Sequence, residues 1–334
     1  MRPRYRQGLF GRVIWRGYLR IHLIRGLENF LKISLCDRCI WLAQRLKVAS
    51  AAFWCLFIGA ILSSSEPVVA LPTENELIVG IFPRRSPTEL MEAFAPLANY
   101  LTQYLGRPVR LETSPDFRSF WEAVSSKRYH LVHYNQYHYL RSHKEFGYKV
   151  VAKNEEGGRD HISGVIVIRK DSGIKRIEDL RGKRIIFGGN NQAMGSYIMP
   201  TYILRQAGLK KGDYIEEFAL NPPNVALAVF FKRADAGGSG NIVFELPFVQ
   251  DKIDVSKMEY LAHSETIAHL PWAVSGEMPV SERDKIQRAL LATKSAPQGE
   301  RILKSASLSN LVIATDDEYT LARKMIYEIT GEQF

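Results

Sequence analysis

Cysteine is missing from most of this chain: the three cysteines of its 334 residues are Cys36, Cys39 and Cys55. The part after Cys55 therefore has no nucleophilic cysteine, no thiolate zinc site and no disulfide framework. It also lacks the G-x-S-x-G, P-loop and H-E-x-x-H patterns of hydrolases, NTPases and metalloproteases. Cys36 and Cys39 have no second pair, so they do not indicate a metal or redox site. We expect no enzyme, no catalytic residue and no cofactor.

Net positive charge is small outside the amino-terminal segment. The chain has 45 Lys and Arg against 35 Asp and Glu, but residues 1–70 hold 11 of the former and 3 of the latter. The rest of the chain is therefore close to neutral, with a balance of +2. A nucleic-acid-binding protein carries its positive charge on the folded domain. We therefore exclude nucleic acid as a partner.

A long membrane-spanning run is also lacking. The apolar run at residues 51–62 is shorter than the roughly 20 residues that cross a bilayer. Arg45 and Lys47 precede it, and residues 68–70 supply the small side chains that signal peptidase needs. We predict a signal peptide at 46–70 that exports the protein to the periplasm. Its retention as an uncleaved membrane anchor is the alternative.

Residues 1–45 form an unusually long basic leader, with Glu28 and Asp37 as their acidic residues. One interpretation is a basic amphipathic segment that lies on an anionic membrane. The other is a start site assigned too far upstream, since no methionine lies between Met1 and Met91. A start at Leu46 or Val48 would leave residues 1–45 untranslated and the signal compact, and we favour this interpretation.

Hydrophobic patterns after the signal predict two α/β units. The first has strands at 76–82, 107–113 and 130–134, with one helix capped by Thr88 and ending at Gly106 and another capped by Asp116. This order is typical of a parallel sheet, in which ligands bind beyond the carboxyl ends of the strands. The second unit has a strand at 164–169, a short helix that turns into a strand over 177–187, and a strand followed by a loop over 234–241. It also has a Gly/Asn-rich loop that opens a helix at 196–207, and a helix capped by Asn221. Two further strands, 259–264 and 269–274, are expected to return to the first unit, and the carboxyl terminus is expected to be helical.

Several segments in this order resemble one family. They are Leu-Ile-Val-Gly-Ile at 77–81, Phe-Ala-Pro-Leu-Ala-Asn-Tyr-Leu at 94–101, Gly-Val-Ile-Val-Ile-Arg-Lys-Asp-Ser-Gly-Ile at 164–174, Ile-Glu-Asp-Leu-Arg-Gly-Lys-Arg-Ile at 177–185 and Gly-Ser-Tyr-Ile-Met-Pro at 195–200. Together they resemble the phosphonate/phosphite/phosphate-type solute-binding proteins of ABC importers. The resemblance implies a type II periplasmic-binding-protein fold, with two α/β lobes joined by two crossover strands and a ligand cleft between them. Lobe 1 would comprise 71–164 plus 265–334, and lobe 2 would comprise 165–264.

The resemblance also implies an anion-binding loop, and this chain departs from its usual sequence. Family members usually have Ser-Thr-Ser-Gly where this chain has Ala193, Met194, Gly195 and Ser196, so two hydroxyl donors are replaced. The polar cluster expected before residues 226–229 is replaced by Pro-Pro-Asn-Val. Two interpretations stay open: an oxyanion held mainly by backbone N–H groups, and a larger, partly apolar ligand that uses Met194 and the tyrosines.

The candidate site residues lie in the loops at predicted strand ends. Arg84 could offer a bidentate fork to an anion or be a solvated loop arginine. Tyr134 is expected to line the cleft, whereas Tyr137 and Tyr139 are interpreted as packing residues. The predicted ligand-binding residues are Arg84, Tyr134, Asn135, His161, Ser163, Asn191, Gln192, Met194, Gly195, Ser196, Ser239 and Asn241.

Four histidines between residues 130 and 143 suggest a metal site until their spacing is considered. His130 and His133 are an odd number of residues apart on a strand, so they point to opposite faces. His138 and His143 are expected in the following helical segment. We therefore predict no metal site.

These observations predict an exported solute-binding protein that captures a small anionic ligand, a phosphonate- or phosphate-like oxyanion or a less polar relative, for an ABC importer by cleft closure. The expected partner is an ABC permease, and the protein is expected to be a monomer. The alternative is a periplasmic ligand-sensing subunit that signals to a membrane sensor kinase.

Overall fold

The computed structural model describes residues 75–334. The strands are β1 (Leu77–Ile81), β2 (Val109–Thr113), β3 (Leu131–His133), β4 (Lys149–Glu155), β5 (His161–Ile162), β6 (Gly164–Arg169), β7 (Arg184–Gly188), β8 (Ile215–Ala219), β9 (Ala236–Gly240), β10 (Met258–His263), β11 (Ile267–Ala268), β12 (Pro271–Val274) and β13 (Asn310–Ile313). The helices are α1 (Pro87–Leu105), α2 (Phe117–Ser125), α3 (Gln136–Phe146), α4 (Met199–Gln206), α5 (Pro222–Phe230), α6 (Pro247–Gln250), α7 (Val280–Ala292), α8 (Gly299–Ser305) and α9 (Thr320–Thr330). A π-helical turn (Met194–Ile198) leads directly into α4.

Lobe 1 is built on a six-stranded sheet with the order β13-β4-β12-β3-β1-β2. Strand β1 pairs in parallel with β2 and with β3, as the alternation of strands and helices predicts. Strands β12 and β13 both pair with β4 in antiparallel fashion. The apolar face of α1 is buried against this sheet through Leu90, Phe94, Leu97 and Leu101. The carboxyl ends of β1, β2 and β3 therefore lie along one edge.

Lobe 2 is built on a five-stranded sheet with the order β10-β6-β9-β7-β8. Strand β7 pairs in parallel with β8 and β9, and β6 pairs in antiparallel fashion with β9. The prediction that the strand near 259–264 returns to the first unit is wrong, because β10 pairs with β6. The physical reason is apolar burial, since Met258 at the start of β10 belongs to the same core cluster as Val225 and Val229 of α5.

The chain passes between the two sheets twice, at residues 156–163 and 264–270. Within these crossovers β5 pairs with β11 in a short antiparallel ribbon. Helix α9 also connects the lobes, because it packs against α3 of lobe 1 and α4 of lobe 2. The two crossovers and α9 are therefore the structural connections about which the lobes could move.

Helix starts are defined by side-chain caps. Helix α1 begins at Pro87, and Ser86 rather than the predicted Thr88 is its N-cap, in a capping box with Glu89. Proline is favoured in the first turn of a helix because the missing N–H has no intrahelical partner there. The predicted caps Asp116 of α2 and Asn221 of α5 are confirmed.

Between residues 75 and 334, no helix has both the length and the hydropathy needed to cross a bilayer. The predicted leader at 1–45 and signal peptide at 46–70 lie outside the residues that the structure describes.

Candidate functional site

The two lobes touch where the β3–α3 loop meets the loop after β7. The Asn135 side-chain amide donates to the backbone carbonyl of Gln192 at 3.1 Å. The Gln192 side-chain amide lies 3.4 Å from the Tyr137 hydroxyl. Because Asn135 and Tyr137 follow a lobe-1 strand and Gln192 follows a lobe-2 strand, the carboxyl edges of both sheets face a common cleft.

The orientation of the Asn135 amide is set by its own helix. Asn135 is the N-cap of α3, and its Oδ1 accepts the backbone N–H of His138 at 2.8 Å. The same oxygen lies 2.7 Å from Nδ1 of His138. Burial, with a smaller contribution from Arg141, lowers the pKa of His138 to about 3, so this imidazole is neutral. Since an amide oxygen can only accept, the neutral His138 ring donates its Nδ1–H to Oδ1 of Asn135. The NH₂ group of Asn135 then points toward lobe 2.

The π-helical turn ahead of α4 leaves backbone donors without an intrahelical partner. Tyr197 and Ile198 both donate their N–H groups to the carbonyl of Ala193, at 2.9 and 3.1 Å. The N–H groups of Met194, Gly195 and Ser196 precede these bonds, so they have no intrahelical partner. The positive end of the helix dipole adds to their attraction for an anion.

Side chains of this turn contribute less than its backbone. The Ser196 hydroxyl is buried and donates to the carbonyl of Gly188 at 2.5 Å, so it braces the turn. A Cβ atom on Gly195 would lie 3.9 Å from Cα of Gly240 and 4.0 Å from Cδ1 of Ile162, at ordinary van der Waals distance. Gly195 therefore faces the end of β9 and the crossover strand β5. Met194 is buried, and Asn191 is exposed.

The second helix N-terminus of lobe 2 offers no comparable donors. Pro222 and Pro223 occupy the first positions of α5 and have no N–H. The next N–H, of Asn224, is accepted by the Asn221 side chain at 3.2 Å. An anion in the cleft would therefore be attracted to α4 and not to α5.

The end of β9 brings three predicted residues close to the first crossover. The N–H of Asn241 donates to the carbonyl of Ser163 at 3.0 Å, and the N–H of Ser163 donates to Oδ1 of Asn241 at 3.4 Å. The Ser239 hydroxyl is fully buried and has no hydrogen-bond partner within residues 75–334. A buried hydroxyl without a hydrogen-bond partner costs folding free energy. A polar ligand atom that reached Ser239 would supply the missing hydrogen bond.

Arg84 is engaged by the first crossover. Its guanidinium forms a 3.0 Å ion pair with Glu156, which also accepts from Asn154 at 3.2 Å. Burial opposes ionisation of Glu156, but Arg84 and His269 outweigh it and the pKa of Glu156 is lowered. His269 lies 3.8 Å from Glu156, yet burial lowers the pKa of His269 to about 4, so this contact is not an ion pair at neutral pH. Arg84 is thus paired with Glu156 through Nη1, whereas its buried Nε has no hydrogen-bond partner within residues 75–334.

Of two further predicted residues, one is fully buried and the other is exposed. Tyr134 is fully buried, and its ring packs against those of Phe120, Tyr139 and Tyr148. The expectation that Tyr134 lines the cleft is therefore corrected, because its side chain faces the helices that cover the sheet. His161 is exposed in β5 and contacts Asp160 at 2.8 Å, and hydrogen bonds from His161 and Lys153 lower the pKa of Asp160 to about 2.

A cluster of rings in lobe 1 was not predicted from the sequence; three of its four rings are buried and the fourth is half-buried. They follow three neighbouring parallel strands, and we call them the aromatic wall: Phe82, Phe117, Tyr137 and His138. The rings of Phe82 and Phe117 are 4.7 Å apart, and each lies 5.5 Å from the His138 ring. Tyr137, interpreted from sequence as packing, is 5.2 Å from His138 and touches Gln192 of lobe 2. Phe82 directly follows β1, Phe117 begins the helix after β2, and Tyr137 and His138 lie in the helix after β3, which is the pattern that could have identified them.

The histidines are dispersed rather than clustered. His130 accepts the N–H of Ile78 through Nδ1 at 2.9 Å. His133 is buried between the rings of Phe94 and Trp272. Across residues 75–334, no three His, Cys, Asp or Glu side chains are arranged to hold a metal ion.

Comparison with known structures gives the fold. PhnD1 from Prochlorococcus marinus, solved in complex with methylphosphonate, is 17% identical with a TM-score of 0.68, covering 78% of this chain and all of that one. A Xanthomonas citri protein bound to ATP is 16% identical with a TM-score of 0.66 over 77% of this chain and 98% of its own. A binding protein component of the Pseudomonas aeruginosa ABC phosphonate transporter is 15% identical with a TM-score of 0.64 over 76% and 86%. The predicted type II periplasmic-binding-protein fold is confirmed.

Family membership follows from the sequence match. Residues 79–319 match the family described as phosphonate ABC transporter periplasmic substrate-binding proteins. This match spans well over half of the chain and includes both lobes, both crossovers and the turn that opens α4. The chain therefore belongs to the family of periplasmic substrate-binding proteins of phosphonate ABC transporters.

Proposed function

We propose that this protein captures a small tetrahedral oxyanion of the phosphonate class in its interlobe cleft and delivers it to an ABC permease. The observation that carries the proposal is the turn before α4, where the N–H groups of Met194, Gly195 and Ser196 precede the first helical hydrogen bond. Such a turn attracts an anion through N–H donors and the helix dipole together. Because Arg84 already pairs with Glu156, we propose these N–H groups as the main anion-binding element.

Ligand capture is proposed to proceed by closure of the lobes about the crossovers. The contact of Asn135 with the Gln192 carbonyl holds the two cleft edges together at the base of the anion-binding turn. Gly195 sits opposite Gly240 and Ile162 with room for a ligand atom to approach the backbone. Ser239, with its unsatisfied hydroxyl, and the mutually bonded Ser163 and Asn241 would form the floor of the site near the crossover.

The cellular setting is proposed from the family and the leader together. The signal at 46–70 would export the protein, which would act as a monomer in the periplasm, soluble if the signal is cleaved and tethered if it is retained. A permease partner fits a family of ABC-transporter subunits. No feature of the described residues favours the alternative of a subunit that signals to a sensor kinase, and none favours an enzyme.

Titration calorimetry of the protein purified from the periplasm tests the proposal. Methylphosphonate, phosphite and phosphate serve as probes, and glucose serves as an uncharged control. We expect at least one oxyanion to bind with a dissociation constant in the micromolar range or below, and to raise the melting temperature, since a ligand at 100 times its Kd stabilises by about 2.7 kcal/mol. Saturable binding of none of these anions, nor of an alkylphosphonate or alkylsulfonate, by folded protein would refute the proposed function.

A further inference from the structure

Gln192, in the loop directly before the turn that opens α4, is held by hydrogen bonds from three sides. Its backbone N–H donates to Oδ1 of Asn190 at 2.8 Å, and its backbone carbonyl accepts the Asn135 amide at 3.1 Å. Its side-chain amide donates to the Tyr137 hydroxyl at 3.4 Å. The next residue, Ala193, supplies the carbonyl that accepts the first hydrogen bonds of the turn. The position of Gln192 therefore fixes where the turn begins.

The Tyr137 hydroxyl that receives the Gln192 amide is itself oriented by Glu332. It lies 2.6 Å from Oε2 of Glu332, the separation of a charge-assisted hydrogen bond. Because an ionised carboxylate can only accept, the single hydroxyl proton is donated to Glu332, and an oxygen lone pair remains for Gln192. Burial, together with the hydrogen bond to Glu332, raises the pKa of Tyr137, so the hydroxyl keeps its proton at neutral pH. Glu332 therefore sets the direction of the hydrogen bond between Gln192 and Tyr137.

The carboxyl-terminal tail (331–334) that carries Glu332 is anchored to α3 of lobe 1. The carbonyl of Gln333 accepts from the Lys144 ammonium group. The Phe334 ring packs edge-on against the Tyr137 ring, with 5.3 Å between the ring centroids. Edge-to-face pairs at this separation are favourable. These contacts hold the tail beside the hydroxyl that Glu332 accepts.

Helix α9, from which the tail continues, is bonded to lobe 2. Arg205 of α4 donates to the backbone carbonyl of Glu328, and the Gln206 amide donates to the Glu328 carboxylate at 3.2 Å. The segment from Glu328 to Phe334 therefore contacts α4 of lobe 2 at one end and α3 of lobe 1 at the other. It joins the two helices whose preceding loops meet at Gln192.

We infer that Glu332 is a positioning residue for the anion-binding turn: by accepting the Tyr137 hydroxyl it presents the oxygen of that hydroxyl to Gln192, and so holds the turn against lobe 1. This inference rests on the proposed function, because the turn is where the oxyanion is proposed to bind. Glu332 acts through Tyr137 and Gln192 and not on the ligand directly. Loss of its carboxylate should therefore weaken anion binding without abolishing it.

Substitutions in the tail test this role by titration calorimetry with methylphosphonate. Glu332→Ala should lower the affinity by about fivefold, whereas Glu332→Gln, whose amide oxygen can still accept the hydroxyl proton, should stay within about twofold of the unsubstituted protein. Gln333→Ala is the matched control, because this exposed neighbour bonds Lys144 through a backbone carbonyl that the substitution retains. Its affinity should not change. Unchanged affinity in Glu332→Ala, or an equal loss in Gln333→Ala, would overturn the inference.

A double-mutant cycle separates this path of hydrogen bonds from a general contribution of the tail. Tyr137→Phe removes the hydroxyl, so Glu332→Ala should cause no further loss of affinity in that background, since both substitutions break the same path. Losses that add in the double variant would overturn the inference, because Glu332 would then act independently of Tyr137.

An NMR measurement on ligand-free protein tests the positioning itself. In ¹⁵N-labelled protein the side-chain NH₂ signals of Gln192 should shift in Glu332→Ala and in Tyr137→Phe, and should stay in place in Gln333→Ala. Unshifted Gln192 signals in Glu332→Ala, at an unchanged melting temperature, would overturn the positioning role. Failure of the unsubstituted protein to bind any of the probe anions would refute the proposed function and with it the effect on anion affinity, and the Gln192 signals would still decide whether Glu332 positions Gln192.

Discussion

The two lobes present different chemistry to the same cleft. Lobe 1 contributes side chains: the Asn135 amide and the Tyr137 hydroxyl, which both contact Gln192. Lobe 2 contributes backbone, because the turn before α4 offers N–H groups and its one hydroxyl, of Ser196, is used internally. Substitutions in lobe 1 should therefore change which ligand is preferred, whereas substitutions in lobe 2 should change whether any anion binds.

The lobes also differ in how their cores are built. Lobe 1 and the adjoining first crossover bury polar and titratable side chains, among them His133, His138 and Glu156. Lobe 2 instead relies on glycines in β9 that allow close packing of helices on both faces. A Cβ on Gly237 would lie 2.3 Å from Val225, and one on Gly238 would lie 2.5 Å from Phe187. Acid should therefore weaken lobe 1, and added side-chain volume should weaken lobe 2.

The largest effect is expected from acid on lobe 1. The folded-state pKa of His269 is lowered by burial to about 4, below the 6.5 of an exposed histidine. The unfolded chain therefore takes up a proton first, and the free energy of unfolding should fall as the pH drops from about 6.5 to about 4, by roughly 3 kcal/mol from this group. Urea unfolding at pH 7, 5.5 and 4 measures the fall, which His269→Gln should reduce. His263→Gln, at an exposed histidine of lobe 2, is the control and should leave the fall unchanged.

The next effect is expected from filling the space at the anion-binding turn. Gly195→Leu places a side chain between Gly240 and Ile162, where the ligand would approach the N–H groups. We expect methylphosphonate affinity to fall by about 100-fold, equivalent to roughly 2.7 kcal/mol. Gly195→Ala is the smaller control: its Cβ fits at ordinary contact distance, so the fold should be retained with an intermediate affinity. Full affinity in Gly195→Leu would place the anion elsewhere.

A loss of folding stability of similar or smaller size is expected when a side chain is added to the tightly packed strand β9. Gly238→Ala brings a Cβ within 2.5 Å of the Phe187 ring and 2.8 Å of Pro200, and such overpacking costs about 1–3 kcal/mol. Chemical denaturation measures the loss. Gly240→Ala, two residues along the same strand, is the matched control because nothing lies within 4 Å of its Cβ position. A loss of equal size in both variants would contradict the packing argument.

The smallest effect is expected at the direct contact between the lobes. Asn135→Ala removes the hydrogen bond to the Gln192 carbonyl, and we expect affinity for methylphosphonate to fall by about fivefold, in line with roughly 1 kcal/mol for one hydrogen bond. The variant also loses an N-cap, which costs about 1 kcal/mol of stability. Ser86→Ala loses the N-cap of α1 without touching lobe 2, so it should show the stability loss with unchanged affinity. Equal methylphosphonate affinities of Asn135→Ala and Ser86→Ala would show that the Asn135 contact between the lobes does not contribute to ligand binding.

Much of the fold could be predicted from local patterns, because the parallel strands of lobe 1 and the caps Asp116 and Asn221 depend on neighbouring residues. Strand β10 was assigned to the wrong sheet because its partner, β6, lies some 90 residues earlier and is chosen by core packing. Tyr134 was misplaced because the face a residue takes at a strand end depends on which helices cover the sheet. The aromatic wall was missed because its rings meet only after three loops converge, as Phe82 and Phe117 do.

Amide NMR of ¹⁵N-labelled protein during titration with methylphosphonate tests the central claim, that lobe 2 binds the anion through backbone. We expect the largest shifts, to lower field, at the N–H signals of Met194, Gly195 and Ser196, with little change at Asn224 of α5. Saturable binding whose largest shifts fall at the Arg84 guanidinium or at Asn224, with the three turn amides unchanged, would contradict it.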